Sequence, residues 1–131
     1  MDIALGPWTA AKTLDAKQRQ TLPDAMGDEA WNTVKKKDGF TPVKVEGVTP
    51  AKSGFTISGQ VVQVAKQGIN TQVKLTFTLW ADGTFSNVAP VHGQGAAQGG
   101  ASAEDVVRAI TEDSVEKLLG AIKSGSAGKA R

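Results

Sequence analysis

The residues best suited to chemistry lie in one short stretch, VHGQGAAQGGASAEDVV, which runs from Val91 to Val107. The only histidine of the chain, His92, stands near its start, and several glycines follow before a predicted helix. A glycine-rich turn before a helix can bind phosphate, because the N–H groups of the first helical turn have no partner within the helix. The imidazole of His92 could act as a general base near neutral pH.

The glycine spacing argues against a phosphate site. Gly93 and Gly95 fit the first two positions of G-x-G-x-x-G, but position 98 is glutamine, and the stretch contains no lysine. The helix that follows is the last predicted element, whereas the dinucleotide motif belongs to the first βαβ unit of its sheet. We therefore predict that Gly93–Gly100 is a flexible connector. Small-molecule or nucleotide binding by this loop is kept as the alternative function.

No other group of side chains forms a catalytic pattern. Asp24, Asp28 and Glu29 lie near the start of a predicted helix and Lys35–Lys37 at its end, where the helix dipole accounts for both. The absence of cysteine excludes disulfides, thiolate catalysis and iron–sulfur clusters, and a single histidine disfavours a metal centre. We expect no catalytic, metal-binding or cofactor-binding residues and hence no enzyme. We expect His92→Ala to leave the biological function intact.

Charge and hydropathy narrow the class of protein further. The 15 basic and 13 acidic residues give a net charge of +2, which is too balanced for a nucleic-acid-binding surface. No apolar run approaches the ~20 residues of a membrane span. The start, MDIALGPWTA, lacks the basic and apolar regions of an intact signal peptide. It fits the start of a mature domain whose signal has been removed.

Two helices are predicted from caps and apolar spacing. The first begins at Thr21 as the capping residue with Pro23 in its first turn, shows an apolar stripe of Met26, Ala30 and Val34, and ends at Gly39. The second covers 101–125. Ser102 caps it, with Asp105 completing a capping-box spacing.

Five strands are predicted between and before these helices, at 3–8, 40–48, 55–65, 71–81 and 84–92. Pro42 indicates an edge strand. The strand 71–81 alternates strictly, so we expect Val73, Leu75, Phe77 and Leu79 to face the core. The element order β-α-β-β-β-β-α predicts an α+β two-layer sandwich, with two helices on one face of a mixed, mostly antiparallel sheet of about five strands. We expect one domain at 1–125 and a flexible tail at 126–131.

The polar face of the strand 71–81 carries Lys74, Thr76 and Thr78 and ends in Trp80. A tryptophan on an exposed face often marks a contact surface, so these four residues are the candidate partner contact. Packing of Trp80 against a loop or the first strand is the alternative.

The segments GFTPVKV, FTISGQVVQV, VKLTFTLWADGTFSNV and DVVRAITEDSVEKLLGAI follow one another in this order. Their pattern over residues 3–122 resembles the amino-terminal domain of TolB and related envelope lipoproteins of the CsgG type. The resemblance implies a non-enzymatic module that docks to a protein partner or to copies of itself in the bacterial periplasm or outer envelope. It implies no functional residues individually. A self-assembling filament or tube subunit is a further alternative.

Overall fold

The computed structural model describes residues 1–45, 54–67, 70–81, 84–85, 91–97 and 102–124. Its elements are β1 (Asp2–Ala10), α1 (Ala16–Lys36), β2 (Thr41–Lys44), β3 (Phe55–Gln67), β4 (Asn70–Ala81), β5 (Thr84–Phe85), β6 (Val91–Ala97) and α2 (Ala103–Lys123). The predicted tail and most of the turn segment at 49–54 lie outside these residues. The predicted α+β class is confirmed, with one more strand than expected.

The sheet is mixed, in the order β2-β1-β3-β4. The free edge of β4 is shared by β5 and β6, which pair with different parts of it. Because α1 returns the chain across the sheet, β2 runs parallel to β1, and β3 then pairs in parallel with the other side of β1. The sheet is mixed, as predicted, with two parallel pairs, both made by β1, and three antiparallel pairs. β2 is an edge strand, as Pro42 indicated.

The first helix begins earlier than predicted. Asp15 is its capping residue, and the Gln18 N–H donates to the Asp15 carboxylate over 2.7 Å. Thr21 lies inside the helix, where its hydroxyl donates to the Lys17 carbonyl over 2.9 Å. Pro23 also lies inside the helix. The end is close to the prediction, since the cap is Lys37 and Gly39 follows with a φ of +91°.

The second helix begins as predicted. The Asp105 N–H donates to the Ser102 hydroxyl over 3.1 Å. The guanidinium of Arg108 lies 3.8 Å from Asp28 and 3.9 Å from Glu29 of α1, because this face of α2 is turned toward the neighbouring helix.

Both helices pack on the same face of the sheet and enclose one apolar core. The predicted β4 face is confirmed, since Val73, Leu75, Phe77 and Leu79 are each no more than 1% exposed. From α2, Val107, Val115, Leu118 and Leu119 complete the core. Trp31 is half-buried at the margin of this core.

A bulge in β3 alters the predicted alternation. Val61 pairs with Leu75 but Gln63 pairs with Lys74, so Val62 is the extra residue. Simple alternation along the strand would put Val62 and Val64 on the face opposite the core. The bulge reverses the faces beyond it, and Val64 pairs with Val73 and packs against the core.

The glycine-rich stretch contains a strand where a flexible connector was predicted. Val91–Ala97 forms β6, which pairs antiparallel with β4 from Phe77 to Thr71. Gly93 lies opposite Leu75 and Gly95 opposite Val73, so the backbone of the glycines completes the ladder on the side of the sheet that α2 covers. The predicted Gly93–Gly100 loop is therefore wrong for 93–97, and 98–100 lie outside the described residues. Nucleotide binding by this stretch is not tested by the strand pairing and stays the alternative hypothesis.

Candidate functional site

The face of the sheet away from the helices carries the candidate contact residues. We call it the open face, and it comprises the following described side chains of β3 and β4: Thr56, Ser58, Gln60, Gln72, Lys74, Thr76, Thr78 and Trp80. They share one face because alternate residues of a strand point the same way. Lys74 is exposed, whereas Thr76, Thr78 and Trp80 are half-buried. The structure thus brings the four predicted contact residues onto one surface, and their part in binding stays a prediction.

Trp80 is held in place across the strand beside it. Its indole N–H donates to the Ser58 hydroxyl over 2.9 Å. In the ladder Trp80 lies opposite Thr56, while Ser58 lies opposite Thr78, so the indole reaches diagonally from β4 onto β3. Thr56 is 0% exposed although it belongs to the open face. The predicted exposed tryptophan is therefore a half-buried one, anchored to β3 with its N–H satisfied.

The backbone register pairs His92 with Thr76 of β4. Thr76 lies opposite Gln60, which pairs in turn with Thr9 of β1. Within the described part of the chain, no group of three His, Asp or Glu side chains could hold a metal ion. The expectation that His92→Ala leaves the biological function intact stays a prediction.

A second concave surface lies on the helical side of the sheet. It has a volume of about 740 Å³ and is formed where α1 crosses the middle of β1, beside the end of β2. We call it the Trp8–Trp31 groove. Sequence reasoning missed it, although Gly27 inside a helical pattern and Gly6-Pro7 inside a strand signal a place where backbones and large rings come close.

No family model matches the chain, and no curated protein matches its sequence. Solved structures do share its fold. The PelC dodecamer from Paraburkholderia phytofirmans is 20% identical with a TM-score of 0.63, over 89% of this chain and 86% of that one. The hypothetical protein CT253 from Chlamydia trachomatis is 8% identical with a TM-score of 0.63, over 93% and 95%. A minor lipoprotein from Acinetobacter baumannii is 11% identical with a TM-score of 0.50, over 98% and 97%.

Identities this low establish a common fold and nothing finer. The fold is one that bacterial proteins share, among them one that is named a minor lipoprotein. Neither TolB nor CsgG is among these three structures, so the resemblance holds at that coarser level. No helix within the described residues is long and apolar enough to span a membrane.

Proposed function

We propose that this chain is a non-enzymatic assembly module of the bacterial envelope, which associates with copies of itself through the open face. The observation that carries the proposal is the anchored indole of Trp80. A side chain already fixed by its bond to Ser58 loses little conformational entropy when a partner covers it. Aromatic side chains of this kind supply much of the energy of protein interfaces.

The residues around Trp80 suit the border of such a contact. Thr76 and Thr78 offer hydroxyl groups. Lys74 offers an exposed ammonium group further along the same strand, at the greatest distance in sequence from Trp80 among these residues. An aromatic centre surrounded by polar groups is the usual arrangement of a protein interface. The proposal therefore assigns the central contact to Trp80 and the border to the other three residues.

The similar structures support two parts of the proposal, namely self-association and a location in the bacterial envelope. PelC, which shares this fold over most of both chains, was solved as a dodecamer, and another similar structure is named as a lipoprotein. These similarities support our proposal that the chain lies in the periplasm or outer envelope. A closed oligomer is the favoured form of assembly, and the open filament or tube is the alternative.

The test is the mass of the assembly in solution, measured by sedimentation velocity and light scattering over a wide range of concentrations. We expect the wild-type chain to form an oligomer of one finite mass. Trp80→Ser and Lys74→Glu should each shift the distribution toward the monomer. Lys17→Glu is the matched control, because it makes the same charge change at an exposed position in the first turn of α1, on the helical side.

A variant that unfolds must be distinguished from one that only dissociates. Trp80→Ser could do either, because it removes the large side chain that lies opposite the buried Thr56 in the ladder. Circular dichroism and urea unfolding of each variant provide this check, and Lys74→Glu changes an exposed side chain. A monomeric wild-type chain at all concentrations would contradict the proposal, as would an oligomer that both variants leave intact. A mass that grows continuously with concentration would favour the filament.

A further inference from the structure

The Trp8–Trp31 groove lies on the opposite side of the sheet from the open face. Its described lining comes from β1, α1 and β2: Leu5, Gly6, Pro7, Trp8, Pro23, Asp24, Gly27, Asp28, Trp31, Lys44 and Val45. A volume of about 740 Å³ falls in the range of ligand-binding clefts. It plays no part in the assembly proposed above, and the argument for a ligand rests on its own residues.

The two indoles in this groove are partly exposed, and Trp8 is closely packed. A Cβ at Gly27 would lie only 2.7 Å from the Cδ1 atom of Trp8. A Cβ at Gly59 would lie 3.0 Å from the Cζ3 atom of the same ring. Trp8 and Trp31 are both half-buried, and neither indole N–H donates to another described residue. The groove therefore offers two partly exposed aromatic surfaces, and packing holds Trp8 in place.

Carboxylates stand beside these rings. Asp24 and Asp28 are four residues apart on α1, so both lie on the same side of the helix. Asp24 is exposed and makes no ion pair with a described residue, whereas Asp28 lies 3.8 Å from Arg108. Lys44 is the only cation in the described lining, so the described lining residues carry a net charge of −1. The excess charge is negative and lies next to aromatic rings.

We propose that the groove binds an arginine side chain from an extended segment of a partner protein. A guanidinium group stacks on indole faces and donates hydrogen bonds to carboxylates in its own plane, so Trp8, Trp31, Asp24 and Asp28 together match its chemistry. The carboxylates provide charge-assisted hydrogen bonds, and the rings contact the apolar part of the side chain. The charge of the lining selects against an acidic segment.

Fluorine NMR on protein labelled with fluorotryptophan tests this directly, because each of the three tryptophans gives its own resonance. Substitution of each tryptophan by phenylalanine assigns the resonances. The probe is the peptide acetyl-Gly-Ala-Arg-Ala-Gly-amide, and the same peptide with neutral citrulline in place of arginine is its control. We expect the arginine peptide to shift the Trp8 and Trp31 resonances in a saturable way. The Trp80 resonance, on the other face, should not move.

Charge variants complete the design. Asp24→Asn combined with Asp28→Asn should weaken arginine-peptide binding by about tenfold or more, as expected when charge-assisted hydrogen bonds are lost. Asp113→Asn is the matched control, because Asp113 is also an exposed helical aspartate paired with a cation, Lys117. It should leave binding unchanged.

Three results would overturn the proposal. The first is an arginine peptide that leaves the Trp8 and Trp31 resonances in place. The second is a citrulline peptide that shifts them equally, which would indicate an apolar groove without cation recognition. The third is movement of these resonances with protein concentration alone, which would show that a second copy covers the groove. None of these results bears on the effect of Trp80→Ser, so the two proposals fail separately.

Discussion

Two helical glycines should respond in opposite ways to the same substitution. Gly120 lies in α2 with nothing within 4 Å of the position that a Cβ would take. Gly27 lies in α1, where a Cβ would come within 2.7 Å of Cδ1 and 3.0 Å of Nε1 of Trp8. Comparing the two alanine variants therefore separates the effect of the contact between Trp8 and α1 from the general preference of a helix for alanine over glycine.

The magnitudes follow from two opposing terms. Alanine in a helix interior is favoured over glycine by roughly 0.8–1.0 kcal/mol, so Gly120→Ala should raise the free energy of unfolding by about that amount. At Gly27 the same gain is opposed by overpacking against a stiff ring, which typically costs about 1–3 kcal/mol. We expect Gly27→Ala to change the free energy of unfolding by between about zero and a loss of 2 kcal/mol. The two variants should then differ by about 1–3 kcal/mol.

Urea unfolding followed by far-ultraviolet circular dichroism measures both changes. Trp8→Leu tests whether the indole ring causes the difference between the two variants, because it removes the ring that the new methyl group would contact. In that background Gly27→Ala should stabilise the protein nearly as much as Gly120→Ala does. If Gly27→Ala already stabilises the wild-type chain as much as Gly120→Ala, the packing of Trp8 against α1 is refuted.

Three further substitutions test the core and the α2 cap by the same urea experiment. Phe77→Ala should cost ~3–5 kcal/mol, because this ring is fully buried, and a loss below about 1 kcal/mol would contradict its place in the core. Thr111→Val should stabilise the protein by about 1 kcal/mol, since the buried Thr111 hydroxyl has no hydrogen-bond partner among the described residues, and a loss would show that it is satisfied. Ser102→Ala should cost about 1 kcal/mol through loss of the bond to the Asp105 N–H, whereas an unchanged midpoint would rule out that cap.

The features predicted correctly from the sequence depend on neighbours along the chain. The alternation of Val73, Leu75, Phe77 and Leu79 specifies a buried face whatever strand lies beside it. The Ser102 cap is likewise local, because donor and acceptor are three residues apart. The end of α1 near Gly39 is also a local feature, because it depends on residues that are adjacent in the sequence.

The start of α1 was misplaced because two valid local signals competed. Pro23 favours the first turn of a helix, so the sequence predicts Thr21 as the capping residue. The structure uses Asp15, whose bond to the Gln18 N–H is an equally local signal, and tolerates the proline inside the helix. The buried residues from Leu22 to Val34 show that packing outweighs the cost of the proline.

Features that depend on register could not be predicted in this way. The pairing of Val91–Ala97 with β4 places glycines opposite Val73 and Leu75, and nothing within the glycine-rich segment itself indicates that partner. The Trp8–Trp31 groove is a similar case, because Trp8 and Gly27 meet only when α1 has packed on β1. The open face was predicted because its residues alternate along one strand, whereas the bond from Trp80 to Ser58 crosses between two.

The open face and the Trp8–Trp31 groove both depend on two adjacent residues of β3, Ser58 and Gly59. Gly59 faces the helices and leaves room for the ring of Trp8, with which it pairs in register. Ser58, the residue before it, faces the other way and accepts the indole N–H of Trp80. Because successive residues of a strand point to opposite faces, two neighbouring small residues position two tryptophans on opposite sides of one sheet. The same strand can therefore support assembly on one face and ligand binding on the other, and a substitution that perturbs one surface can spare the other.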